Sequence, residues 1–135
     1  MTHTPYPESF YAASANPAPV RPELQGEVET DVCIIGAGYT GLSTAISLLE
    51  NGFKVVLVEA AKVGFGASGR NGGQIVNSYS RDIDVIERTV GTKEAKLMGD
   101  MAFEGGRIIR ERIAKYNIDQ RLVEGELAGL SSIGS

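Results

Sequence analysis

The sequence predicts an α/β chain, and three observations in its first half predict it. An apolar run, Val32-Cys33-Ile34-Ile35, enters the turn Gly36-Ala37-Gly38-Tyr39-Thr40-Gly41. Helical patterning follows from Leu42 to Glu50, and Asn51-Gly52 stops it. A second apolar run, Val55-Val56-Leu57-Val58, then ends in Glu59. Strand, glycine turn, helix, strand and an acid about 20 residues on form the arrangement of a Rossmann-like βαβ unit. Such a unit is expected to be part of a doubly wound parallel sheet, here followed by further helices.

Each residue of the turn has a task in that reading. Gly36 permits the tight strand-to-helix turn, because a Cβ would forbid its torsions. Gly38 lets a pyrophosphate approach the main chain, and Gly41 lets the helix pack on the strand. Ala45, one turn on, keeps that face small. The helix N-terminus, with Tyr39 and Thr40 beside it, offers unpaired N–H groups and partial positive charge to phosphates. Glu59 can accept hydrogen bonds from both hydroxyls of an adenosine ribose and would repel a 2′-phosphate, which disfavours NADP. The plainer alternative is a βαβ unit whose glycines serve turns only. Cys33, inside the first strand, is expected to be a small buried thiol.

Composition narrows the function classes. With 42% hydrophobic and 22% charged residues, the 135-residue chain can support the core of one small domain. A net charge of −4, with no basic stripe, argues against nucleic acid as a partner. One cysteine and one histidine, the latter at His3 in the N-terminal tail, leave no internal disulfide, no metal cluster and no histidine acid–base chemistry. No stretch reaches the ~20 apolar residues of a membrane helix. Met1-Thr2-His3-Thr4-Pro5 also lacks the regions of a secretory signal, so a cytoplasmic protein is expected. Oligomeric state has no signature here.

The remaining segments follow in order. All five prolines lie between Pro5 and Pro22, so residues 1–30 read as an extended arm, with Ser9-Phe10-Tyr11 expected to pin it to the body. After Glu59, residues 64–73 are too rich in glycine for helix or regular strand. Ile83 to Thr89 reads as a short helix broken by Gly91, and Thr92 as the N-cap of a long helix from Lys93 to about Tyr116. Leu97, Met101, Ile108, Ile109, Ile113 and Tyr116 would face the core. Gly105-Gly106 weakens this helix by roughly 1 kcal/mol per glycine, so a kink or a close backbone approach is expected there. Residues 119–135 show no firm periodicity and read as a divergent, frayed tail.

The second glycine loop carries the chemistry that separates the candidates. Ser68-Gly69-Arg70-Asn71-Gly72-Gly73-Gln74 supplies backbone N–H groups, one cation, and amides that donate and accept. A flexible surface loop is the alternative reading of its composition. Taken with Gly-Ala-Gly-Tyr-Thr-Gly-Leu-Ser at 36–43 and Gly-Phe-Gly-Ala-Ser-Gly at 64–69, the chain resembles the N-terminal part of the D-amino-acid-oxidase-like flavoproteins. Within them it is most similar to the gamma-glutamylputrescine oxidoreductase group, which shares the continuation from Asn77 to Ile86 and Phe103-Glu104-Gly105-Gly106. The likeness runs from about Ser9 to Ile118, and the FAD-binding domain is placed at 31–118.

The resemblance implies FAD as cofactor, lying along Gly36, Gly38 and Gly41 with its ribose on Glu59. The loop from Ser68 to Gln74 would run beside the diphosphate toward the flavin ring. Arg70 would balance negative charge on the diphosphate or on the reduced flavin, with a structural salt bridge as the alternative. It implies oxidation of a small-molecule amine at its C–N bond, with O2 as the final acceptor, giving an aldehyde, ammonia and hydrogen peroxide. Members of the family are several-fold longer and carry a substrate domain that these residues lack, so the chain is expected to be a truncated, frame-shifted or shortened product. No residue is assigned as catalytic acid, base or substrate clamp. The isolated chain is expected to be a weakly folded, inactive half-site, since two strands do not complete a parallel sheet. Two competing readings are an NAD-linked dehydrogenase domain, resting on the fingerprint and Glu59, and a non-catalytic dinucleotide-binding remnant that pairs with a partner.

Overall fold

The computed structural model describes Tyr6 and residues 8–119. The chain divides into two compact units, Met1–Gln74 and Ile75–Ser135, a division that falls within the 31–118 span. The first unit holds a parallel pair of strands, β1 (Val32–Ile35) and β2 (Val55–Val58), joined through helix α2 (Tyr39–Glu50). Their register runs from Val32 beside Val55 to Ile35 beside Val58. Asp31 secures the lower end, its carboxylate accepting from the Lys54 amide at 2.7 Å, and Thr30 Oγ1 donates to the Lys54 carbonyl at 2.8 Å. At the upper end the Gly36 amide donates to the Val58 carbonyl at 2.8 Å, so the pairing continues into the turn.

α2 begins at Tyr39, three residues earlier than composition suggests, because the turn passes from Gly38 directly into helical torsions. It packs on both strands and buries Ala45. The face of β1 turned toward α2 is half-buried at Val32 and Ile34, while Cys33 and Ile35 on the opposite face are exposed, Ile35 at 87%. The expectation of a buried Cys33 is therefore corrected. Alternate residues of a strand face opposite sides, so β1 has one half-buried and one exposed side, whereas β2 is half-buried throughout.

In the arm, Ser9 Oγ accepts the Ala12 amide at 3.2 Å and caps a short helix, α1 (Phe10–Ser14). Phe10 and Tyr11 are exposed and meet each other edge-on, so they do not pin the arm. Tyr6 does make a contact with the body, donating its hydroxyl to the Val63 carbonyl.

The second unit is a helical pair, α3 (Ile83–Val90) packed on α4 (Thr92–Tyr116). Gly91, at φ +93°, makes the junction and is itself the N-cap of α4, one residue before the expected Thr92. Tyr79 donates its hydroxyl to the Met98 carbonyl at 2.8 Å. The inward face of α4 differs from the expected one. Ala95 and Gly106 are buried, whereas Leu97, Met101, Ile109 and Tyr116 are 44–65% exposed; Ile108 and Ile113 are half-buried. The reason lies at Gly106, where a Cβ would stand 2.6 Å from Asn77 Oδ1. Small residues let α4 lie close to the segment around Ile75 and Asn77, and that closeness sets which stripe turns inward. Exposed i,i+4 ion pairs, Asp84–Arg88 and Lys96–Asp100, add only about 0.3–0.5 kcal/mol each. None of the described helices is long and apolar enough to cross a membrane. The tail expected at 119–135 lies, from residue 120 on, outside the described residues.

Candidate functional site

The site is built on a turn that the strand pair forces upward. Gly36 adopts φ +102°, and a Cβ on Gly41 would lie 1.9 Å from the Gly36 carbonyl oxygen. No residue but glycine fits there without moving the backbone. Between them Ala37 is fully buried, and both of its peptide groups are engaged. Its amide donates to Glu59 Oε2 at 2.8 Å, and its carbonyl accepts from the Gly64 amide at 2.9 Å. One residue thus joins the first glycine turn, the acid after β2 and the start of the second loop. The sequence reading passed over Ala37, whose signal is a small residue between two required glycines.

Glu59 uses both oxygens, since Oε1 accepts the Ala61 amide at 3.0 Å. These two amides, Ala37 foremost, hold its carboxyl below the usual value of 4.5, against a small opposing effect of burial. The group is therefore a carboxylate at neutral pH. A carboxylate has about four acceptor positions, so two amides leave room for ribose hydroxyls.

The second loop repeats the geometry of the first. Gly64-Phe65-Gly66-Ala67-Ser68-Gly69 has the same glycine spacing as Gly36 to Gly41. Gly64 has φ +71°, and a Cβ on Gly69 would stand 2.2 Å from the Gly64 carbonyl oxygen, matching the Gly36–Gly41 approach. Gly38 and Gly66 share extended torsions, φ −85°, ψ −174° and φ −77°, ψ −147°. Where the first turn opens a helix of 12 residues, the second opens one 3-10 turn, Ala67–Gly69. The shared spacing is legible in the sequence, but helical periodicity follows the first copy alone.

The two loops meet at the N-terminus of α2. Ser68 Oγ accepts the Tyr39 amide at 3.0 Å and so caps a helix whose own N-cap, Gly38, has no side chain. A Cβ on Gly38 would lie 3.0 Å from that hydroxyl. Asn71 locks the arrangement: its Nδ2 donates to Tyr39 Oη at 3.0 Å and to the Ala67 and Ser68 carbonyls at 3.1 Å, and its Oδ1 accepts the Gly73 amide at 2.8 Å. The alternative of a freely flexible surface loop does not fit this bonding. Arg70 Nε donates to the Phe65 carbonyl at 3.1 Å and its guanidinium lies 5.2 Å from the Phe65 ring centroid. Among the described residues Arg70 forms no ion pair. Gly72 and Gln74 lie together, with a Cβ on Gly72 3.8 Å from Gln74 Oε1.

What results is a stretch of bare backbone at a helix N-terminus. Thr40 and Gly41 precede the first i→i−4 bond, from the Leu42 amide to Gly38, and their amides have no such partner. Together with the ribose-competent carboxylate of Glu59, these groups fit the diphosphate and adenosine of a dinucleotide. Gly36, Gly38, Tyr39, Thr40, Gly41, Glu59 and Ser68 to Gly73 are thus gathered in one unit by direct bonds or sequence adjacency. Among the described residues no cluster of three or more histidine, cysteine or acidic side chains could hold a metal.

Comparison with known proteins resolves which dinucleotide. The family described as FAD dependent oxidoreductase matches residues 31–126. The chain is 59% identical to gamma-glutamylputrescine oxidoreductase of Escherichia coli over 116 residues, which are 86% of this chain and 27% of that protein. It is 46% identical over 110 residues to the probable oxidoreductase OrdL of Haemophilus influenzae, covering 82% of this chain and 26% of that one. A second probable oxidoreductase OrdL, from Rhizobium meliloti, is 38% identical over 120 residues, 89% of this chain and 28% of the relative. The chain therefore spans about a quarter of the length of the curated relatives it matches. No solved structure matches it significantly.

Proposed function

This chain belongs to the FAD-dependent oxidoreductase family, and from that premise we propose that it is the FAD-binding portion of a flavin-dependent amine oxidoreductase. The observation that carries the reading is the seating of the second glycine loop, through Ser68 and Asn71, on the N-terminus of α2. A nicotinamide domain needs only the first turn and the acid. Here a second loop is fastened to the N-terminus of α2, and that fastening supports the reading.

Within that reading each residue has a binding task. The Thr40 and Gly41 amides receive the diphosphate, and Gly38 admits it by lacking a side chain. Glu59 holds the adenosine ribose while fixing the turn through Ala37. Arg70, free of carboxylate partners among the described residues, supplies positive charge toward the diphosphate or the reduced ring. Held by these residues, FAD would supply the electron acceptor for oxidation of an amine to its imine, which water would hydrolyse to an aldehyde and ammonia, with O2 as final acceptor giving hydrogen peroxide. The 59% identity to the Escherichia coli enzyme favours gamma-glutamylputrescine as the amine. The cytoplasm is the proposed compartment, and nucleic acid has no role in the reading.

A hybrid enzyme tests the proposal. Residues 31–118 would replace the matching stretch of the Escherichia coli oxidoreductase, and peroxide would be followed on adding gamma-glutamylputrescine. Amine-dependent peroxide from an FAD-loaded hybrid is the expected result. A folded, FAD-loaded hybrid that yields no peroxide with gamma-glutamylputrescine removes the amine-oxidoreductase reading of residues 31–118. A folded hybrid that holds no FAD removes the cofactor role itself.

A further inference from the structure

Tyr6, in the N-terminal arm, reaches the segment that opens the second glycine loop. Tyr6 donates its hydroxyl to the Val63 carbonyl at 2.6 Å, across 57 positions of sequence. Its ring stacks on Phe65, with centroids 6.1 Å apart and planes at 28°. Lys62 Nζ lies 4.8 Å from the Tyr6 centroid, and the Arg70 guanidinium lies 5.2 Å from the Phe65 centroid. Lys62, Tyr6, Phe65 and Arg70 thus form a run of alternating cations and rings. Phe65 also accepts Arg70 Nε through its carbonyl, so the same residue fixes the guanidinium by ring and by backbone.

We propose that Tyr6 is a positioning residue for the second glycine loop, acting through Phe65 to fix the Arg70 guanidinium. Residues 64–73 hold five glycines, and each glycine brings conformational freedom that must be removed before a ligand meets an ordered loop. Ser68 and Asn71 fasten the far half of the loop to α2. The near half, Val63 to Phe65, has the Gly64 amide on Ala37 and, in addition, the ring and hydroxyl of Tyr6. Removing Tyr6 takes away one hydrogen bond, one ring stack and one cation–ring contact together. Arg70 then keeps its bonding partner, but that partner is less fixed. This inference rests on the FAD-binding reading for its consequence, though not for the contact itself.

The test uses the full 135-residue chain as wild type, Tyr6→Ala and Tyr6→Phe, with two readouts. Hydrogen exchange of residues 62–70 in the ligand-free chain is expected to quicken about tenfold in Tyr6→Ala, while the amides of α2 stay unchanged. Tyr6→Phe, which keeps the stack and loses the hydroxyl, is expected to give about a threefold change. FAD titration followed by flavin fluorescence should show the same order, with affinity weakened about tenfold for the alanine variant. Unchanged exchange over residues 62–70 would overturn the proposal whatever FAD does. Faster exchange with wild-type affinity would overturn it too, because the strap would then hold nothing that matters to the ligand. If no variant, wild type included, binds FAD, the FAD-binding reading fails, and the exchange result alone decides whether Tyr6 orders the loop. Should Tyr6→Ala fail to fold, Tyr6→Phe carries both readouts.

Discussion

At the scale of single residues, the site depends on close approaches and on one carboxylate. Gly41→Ala places a Cβ 1.9 Å from the Gly36 oxygen, which must displace the turn, and is expected to cost roughly 3 kcal/mol in urea unfolding. Ser68→Ala is milder. It leaves the Tyr39 amide without its cap and is expected to weaken FAD about tenfold with little loss of fold, as measured by flavin fluorescence. Glu59 links stability to pH. Its folded pKa is lowered below 4.5 by the Ala37 and Ala61 amides, so its contribution is complete above that value and fades as pH falls through the lower folded one. The stability difference between wild type and Glu59→Gln should therefore be constant at neutral pH and shrink below about pH 4.5. A difference that instead grew on acidification would contradict the Ala37–Glu59 bond. The roles of Gly36, Gly41 and Ala45 were legible because each is dictated by steric contact within one short segment. Ala37 and Tyr6 were not, because their importance comes from partners 22 and 57 positions away.

At the scale of elements, the strands and helices followed from apolar runs and glycine stops to within a few residues, whereas the faces they bury did not. Cys33 reads as a buried thiol, yet Cys33 and Ile35 lie exposed. Native-state labelling with a maleimide should accordingly modify Cys33 without denaturant; protection until unfolding would show that face to be covered. The inward stripe of α4 was misread for a related reason. Periodicity marks several apolar stripes on a long helix, and only the close contact at Gly106 selects among them. Adjacent glycines then predict opposite signs. A Cβ on Gly105 meets nothing, so Gly105→Ala should stabilise by up to about 1 kcal/mol through helix propensity. Gly106→Ala drives a Cβ to 2.6 Å from Asn77 Oδ1 and should destabilise by about 1–3 kcal/mol, with urea midpoints reading both.

At the scale of the whole molecule, two glycine loops of the same spacing converge on the N-terminus of one helix, and an acid ties them through Ala37. The cofactor class was legible in the sequence because the second loop carries family-specific residues, and the family match over residues 31–126 agrees with it. The fastening of that loop was not legible, since Ser68 capping a helix 29 positions earlier leaves no local signature. Titration of the folded chain with FAD, with NAD as comparator and circular dichroism confirming the fold, addresses this most directly. Saturable quenching of flavin fluorescence, weakened by Ser68→Ala, with no comparable binding of NAD, is the expected result. A chain that is demonstrably folded yet shows no affinity for FAD would contradict it.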